Sequence, residues 1–358
     1  MKKLGIYIHI PYCRSKCPYC DFFSLAKTDT AAAYIAAVER ELENFAREHN
    51  CIADTLYIGG GTPSVLAGEQ IASLISTVRR LYGDALEEVT VEGNPSDVSE
   101  EFLRTIRAAG ANRLSLGMQS AVESERRALG RRAGRAQVAA AVEAARQAGF
   151  GNISLDLMLG IPAQSARSLS ESIRFCADLG VEHISAYILK LEEGTYFYRN
   201  RDKLDLSDDD AAADLYLQAV EELTESGFAQ YEISNFAKPG KESRHNLKYW
   251  RLEEYLGIGA AAHSFVGGKR FYYPRDIERF IAGTAPVADG SGGDRGEQIM
   301  LGLRLKEGIS KPLLSEKAIQ KLPLLAEQGM ITETEQTVAL TPQGCLLSNT
   351  IINALSEV

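Results

Sequence analysis

Three cysteines, Cys13, Cys17 and Cys20, stand at a C-x3-C-x2-C spacing on one short stretch of the chain. With 6 cysteines in 358 residues, chance supplies that triple in about 0.002 of chains. Thiolates are soft ligands, suited to zinc or to an iron–sulfur cluster. Structural zinc takes four ligands, usually from paired C-x2-C halves, and no second pair is present; His9 could complete a Cys3His set. Three cysteines on a four-iron cluster leave one iron open to a small molecule, which is the better fit. Cys51, Cys176 and Cys345 have no such company and read as buried small apolar residues or incidental thiols.

A second constellation is Gly59-Gly60-Gly61-Thr62-Pro63. Glycines let a backbone approach a ligand closely, and Pro63 can open a helix. The run lacks the Lys-Ser/Thr ending of a phosphate-binding loop, which argues against ATP; a tight turn is the plainer reading. Glu92, Gln119, Arg131 and Asp156 are the polar residues that could face a ligand. Carboxylates hold ribose hydroxyls in dinucleotide sites, and an arginine can grip a carboxylate bidentately. Singly, each is also readable as a helix cap or a surface ion pair. Asp156 stands apart because it interrupts the apolar run LDLMLGIP, and a carboxylate buried there needs a partner.

The elements that must position these residues alternate. Short β-branched and aromatic runs begin at Gly5, Thr55, Glu88, Arg113, Ile153 and His183, and helical patterns begin at Ala31, Ile71, Glu100 and Ala136. Six strand-then-helix units imply an α/β fold with a parallel sheet. Gly59–Thr62, Glu92, Gln119, Asp156 and Tyr187 all fall near the carboxyl ends of successive strands. In a barrel those ends converge on one face, so an incomplete (β/α)6-type barrel over residues 1–230 is predicted. An aromatic and histidine-rich extension should follow over 231–283, then a linker over 284–296 suggested by its Gly and Pro content. Residues 297–358 read as a small winged-helix-like α+β module. It lacks a basic stripe, so packing or partner binding is expected of it rather than DNA binding.

Composition narrows the classes. With 39 Lys+Arg against 48 Asp+Glu the net charge is −9, which argues against a nucleic-acid backbone as partner. Hydrophobic residues at 45% and charged residues at 24% exclude a disordered, collagenous or coiled-coil chain. No apolar run approaches a membrane span, and the basic tip and short apolar start lack a signal-peptide cleavage site. A cytoplasmic protein with free thiols is the expectation.

CRSKCPYC, directly after the first strand, resembles the cluster loop of the radical S-adenosylmethionine (SAM) superfamily. The resemblance implies a [4Fe-4S] cluster on Cys13, Cys17 and Cys20, with SAM chelating the open iron. It also implies reductive cleavage of the sulfonium to methionine and a 5′-deoxyadenosyl radical, with Tyr19 over the adenine. YIHIPYC, GGGTP, RLSLGMQS, LGR at 129–131 and DLMLGIP narrow the likeness to the branch of the oxygen-independent coproporphyrinogen III dehydrogenases and their relatives. There Tyr7, Gly60, Gly61, Thr62, Glu92, Gln119, Arg131 and Asp156 correspond to SAM-contacting positions.

Two departures separate this chain from the dehydrogenases: Phe22 replaces a fourth cysteine, and little sequence precedes Cys13. HNLKYW at 245–250 instead is similar to the HNxxYW signature of the haem-chaperone family, HemW. Ala133 stands where relatives usually place a histidine. The likeness implies haem as cargo, haem-accepting proteins and an electron donor as partners, and peripheral membrane contact through acceptors. The rival reading is a true oxidoreductase acting on coproporphyrinogen III or a related tetrapyrrole. His245 could ligate haem iron while neighbouring aromatics stack on the macrocycle; a packed aromatic corner with a hydrogen-bonded imidazole is the alternative. His263 offers the same two readings. His9 reads as support for the cluster loop, His49 as a surface residue and His183 as a packing residue.

Overall fold

The computed structural model describes residues 2–356. Strands β1 (Lys2–Ile10), β2 (Cys51–Gly60), β3 (Glu88–Gly93), β4 (Arg113–Gln119), β5 (Ile153–Leu159) and β6 (His183–Ile188) lie side by side in chain order, all parallel. A doubly wound sheet would show a reversal of strand order. Winding in one direction, with each crossover helix returning over the same face, is the topology of a barrel.

Period-two alternation gives each strand two unlike faces. One carries Ile6, Ile8 and Ile10 on β1, Leu56 and Ile58 on β2, Val89 and Val91 on β3, and Leu114 and Leu116 on β4, all buried in the main apolar core with the helices. The opposite face is polar: Tyr7 and His9, Thr55 and Tyr57, Thr90 and Glu92, Arg113 and Ser115, Ser154 and Asp156, His183 and Ser185. Buried polar groups need partners, and several of these find one another: Ser154 with His183 at 2.8 Å, Ser115 with Asp156 at 3.4 Å, Tyr57 with Glu92 at 2.6 Å. The barrel interior is therefore a polar network, and its carboxyl-terminal end carries the residues singled out above.

The sheet does not close. Beyond β6 it continues antiparallel through β8 (Asn235–Ala237) to β7 (Ala229–Glu232). On the other side, β1 pairs in parallel with β9 (Tyr255–Ile258). The antiparallel strands β10 (His263–Val266), β11 (Lys269–Tyr272) and β12 (Val287–Ser291) then extend that edge. Two expectations are corrected here. A division at 230/231 cuts through β7, and the stretch 284–296, expected as a linker, carries the edge strand β12. All five residues of β12 are exposed, so it lacks the apolar alternation by which a strand announces itself.

The C-terminal part has its own core, built from Ile299, Leu303, Leu322, Val338, Leu340, Ile351 and neighbours. A helix (Arg295–Gly302), a second helix (Glu316–Glu327), a three-stranded sheet ordered Ile309–Ser310, Thr337–Leu340, Ile331–Glu333, and a final helix (Ser348–Ser356) form a winged-helix-like arrangement. It docks on the sheet edge through a bridge between Glu232 and Leu305 and the Arg251–Glu307 ion pair. No helix among the described residues is long and apolar enough to cross a membrane.

Candidate functional site

The loop after β1 is folded back on itself by Leu25 N–H to Pro11 O (2.8 Å) and Cys13 N–H to Leu25 O (2.9 Å). The glycine segment after β2 is laid against its start: Gly61 N–H donates to Ile10 O at 2.9 Å and Thr62 N–H to Tyr12 O at 2.7 Å. Only glycine permits this approach. A Cβ on Gly61 would lie 2.6 Å from Tyr12 O, and one on Gly60 would lie 2.4 Å from the His9 ring at a φ of +105°. The two segments thus form one rigid unit at the barrel mouth.

A cavity of about 220 Å³ opens there. Cys13, Cys17, Cys20, Tyr19, Gly60, Gly61, Thr62, Glu92, Gln119, Arg131 and Asp156 all line it, so eleven of the residues expected at the site are brought together from five strand ends. Thr62 Oγ1 lies 3.4 Å from Cys13 Sγ, and Arg131 reaches Cys17 Sγ at 3.8 Å while also donating to Gly117 O. Burial pushes the Cys20 thiol above its ordinary value, outweighing the opposing pull of the Phe22 backbone and the Lys16 charge. Among the described residues, no three His, Cys, Asp or Glu side chains converge as ligands of a single metal ion. Cluster ligands bind different irons and need not converge on one point, so three soft thiols around one cavity fit a cluster.

The carboxylates are buried in the same cavity. Glu92 accepts Tyr57 O–H at 2.6 Å and Gly60 N–H at 3.0 Å, yet burial, followed by the Asp156 charge, pushes it up to about 7. Burial likewise pushes Asp156 up to about 6, against the opposing pull of Ser185, Arg113 and Arg131. Two buried acids so close together call for a cation, and a ligand bearing ammonium or sulfonium charge supplies one. Gln119 reaches the cavity from a register shift in β4 and holds φ +72°, a strained value for a non-glycine residue.

Two expected residues fall elsewhere. Tyr7 does not line this cavity; its O–H is 2.9 Å from His9 Nδ1, and its ring packs 6.2 Å from that of Tyr57. It lines a second cavity of about 370 Å³ instead, together with His9, Phe22, Phe23, Tyr249, Tyr255, Ala261, His263 and Arg275. Gly60, Glu92 and Phe22 belong to both cavities. Ala133 is buried and lines neither cavity.

His245 requires the larger correction, because its placement leaves no nitrogen for iron. It is completely buried, with Nδ1 2.8 Å from Thr55 Oγ1 and Nε2 2.8 Å from Tyr249 O–H. Burial, then the Lys248 and Arg113 charges, lowers it to about 3, so it stays neutral. The backbone N–H groups of Arg244 and His245 donate to Glu88, and Lys248 pairs with Asp54 at 2.9 Å. HNLKYW is a helix (Arg244–Trp250) locked onto the amino-terminal parts of β2 and β3, and His245 is a strut holding Tyr249 at the wall of the second cavity.

Some lining residues went unread. Asn94, Ser96 and Asp97 border the first cavity, and the polar run NPSD directly after β3 was the signal available for them. Arg275 had none, since only the pairing of β9–β11 brings it beside residues near the start of the chain.

Two family models match the chain: the radical SAM superfamily over residues 7–176 and the HemN C-terminal domain over residues 296–347. The heme chaperone HemW of Bacillus subtilis is 38% identical, over 97% of this chain and 98% of that protein. The HemW of Escherichia coli is 40% identical over 74% of this chain and 70% of its own. Among solved structures, the coproporphyrinogen III oxidase HemN of Escherichia coli, titled a radical SAM enzyme, superposes with a TM-score of 0.84. That likeness covers 99% of this chain and 90% of the other at 23% identity, and it shows a shared fold.

Proposed function

Because the chain belongs to the heme chaperone HemW family, with a radical SAM fold, we propose that it binds haem and a SAM-ligated [4Fe-4S] cluster and delivers haem to acceptor proteins. Cys13, Cys17 and Cys20 would hold the cluster, which with SAM supplies a site for one-electron chemistry. Gly60, Gly61, Thr62, Glu92, Gln119, Arg131 and Asp156 would seat SAM, the acids meeting its cationic groups and Arg131 its carboxylate. Tyr19, packed 6.1 Å from Phe197, would cover the adenine. An electron donor, a cytoplasmic setting and peripheral contact with membrane-bound acceptors belong to the same reading.

The observation that carries it is the pair of adjoining cavities, one lined by thiols and carboxylates, the other by aromatic rings and two histidines. Between them stands Phe22, 68% exposed, where the dehydrogenase pattern has a fourth cysteine. A cargo site that must load and unload favours an accessible wall of this kind, whereas decarboxylation of a porphyrinogen requires its propionate carbons to be enclosed near the radical source.

The test offers both substrates to anaerobically reconstituted protein. Haem should bind at about one per chain, and coproporphyrinogen III with SAM and reductant should yield no protoporphyrinogen. Sustained decarboxylation, with haem held no better than by an unrelated protein, would promote the oxidoreductase reading instead.

A further inference from the structure

The chain has five histidines, and their environments differ sharply. His9 uses both ring nitrogens, on Tyr7 O–H and Phe23 O, each at 2.9 Å. His183 is spent on Ser154 and Tyr231, both at 2.8 Å, and His245 on Thr55 and Tyr249. His49 is at the surface, stacked on Phe45, and lines neither of the two cavities above. His263 alone is exposed, lines a cavity, and has neither ring nitrogen hydrogen-bonded to another described residue. Its ring is held by stacking on Tyr272, with centroids 5.1 Å apart and planes 23° apart. An imidazole fixed in orientation with a free nitrogen is the form in which histidine meets a metal centre.

The rest of that cavity is suited to a flat, apolar, dianionic ligand. Tyr7, Tyr249 and Tyr255 supply aromatic wall, and Phe22 stands at the border with the thiol-lined cavity. A volume of about 370 Å³ lies within the range of small-molecule sites. Arg275 borders it with a side chain 65% exposed, and its ion pair with Asp21 is loose at 3.7 Å. Such a guanidinium can exchange partner for a ligand carboxylate, with a bidentate pair as the gain. The cavity also contains a strained backbone position, Ala261 at φ +70°, two residues before His263. Left-handed backbone at an alanine persists where the surrounding structure holds it, as at binding sites.

Resting on the carrier reading above, we infer that the cargo haem sits in this second cavity, with His263 as its axial iron ligand and Arg275 holding a propionate. Phe22 and Tyr249 then contact the macrocycle, and His245 acts at one remove by orienting Tyr249. The arrangement places haem beside the cluster cavity with Gly60 and Glu92 as the common wall.

The test is a ferric haem titration of anaerobically reconstituted protein, followed by absorption and EPR. Wild type and His49→Ala should give the same imidazole-ligated spectrum. His263→Ala should keep its iron–sulfur absorption but lose the imidazole signature, and free imidazole should restore it. Arg275→Ala should keep the signature and bind haem about tenfold more weakly, the size expected for one charge-assisted hydrogen bond. That deficit should vanish with haem whose propionates are esterified. A wild-type spectrum and affinity in His263→Ala would overturn the assignment while leaving the carrier reading intact. An equal deficit of Arg275→Ala toward haem and its ester would overturn the propionate contact. Absence of haem binding by the wild type would instead bring down the carrier reading itself.

Discussion

Replacing His245 by alanine should damage the fold and leave the iron ligand in place. The substitution removes two buried hydrogen bonds and strands Thr55 Oγ1 and the Tyr249 hydroxyl, each at a penalty of about 1–3 kcal/mol. The lost ring also leaves a void between the helix and the Tyr57 ring, now 5.4 Å from it, so a total of about 3–5 kcal/mol is expected. Acid sensitivity gives a second signature. His245 lies at about 3 in the folded chain against an ordinary value of 6.5, so the unfolded chain binds the extra proton between those limits. Its contribution to stability is complete above pH 6.5 and is lost as the pH falls, by about 2 kcal/mol at pH 5. Glu92 and Asp156 are raised rather than lowered and act in the opposite sense, so wild type must be compared with His245→Gln at each pH. Denaturant unfolding from pH 7.5 to 5 should show the two stability curves converging as the pH drops. A constant difference, or an unchanged midpoint in His245→Ala accompanied by loss of the haem–imidazole spectrum, would refute the strut.

Alanine at Cys13, Cys17 or Cys20 should abolish the brown iron–sulfur absorption, while alanine at Cys51 or Cys345 should leave iron content unchanged; iron and sulfide analysis checks both. Asp156→Ala should keep the cluster yet weaken the perturbation of its reduced EPR signal by SAM. In wild type, SAM binding should decline as the pH falls through about 7 and then 6, where Glu92 and Asp156 take up protons; a titration at fixed ionic strength measures it. Gly61→Ala, whose Cβ would meet Tyr12 O at 2.6 Å, should lower cluster occupancy on reconstitution, read as iron per chain.

The barrel was legible because its strands repeat a strong period-two pattern between helices, and strand order followed chain order. The first cavity was legible for a related reason: chemistry-bearing residues at strand ends, such as Glu92 and Asp156, must converge once the sheet curls. Strands β9–β12 were not, being four or five residues long and in β12 wholly exposed. They form by pairing onto an existing edge, and no local pattern encodes that. The second cavity escaped for the same reason, since Tyr7, Phe22, Tyr249, His263 and Arg275 meet only after β9 docks on β1. HNLKYW was seen with two readings left open: a histidine among aromatics looks alike as ligand and as strut, and only the partners of its nitrogens tell them apart.

The most direct measurement of the central claim is transfer. Haem-loaded protein, freed of unbound haem, is mixed with an apo-haemoprotein acceptor, and the acceptor's Soret band is followed against a control of haem on a non-specific carrier. The account predicts saturable transfer of the bound haem, impaired by His263→Ala loading and unaffected by His49→Ala. Haem that stays on the chain, or that reaches the acceptor no differently from haem on the control carrier, would contradict it.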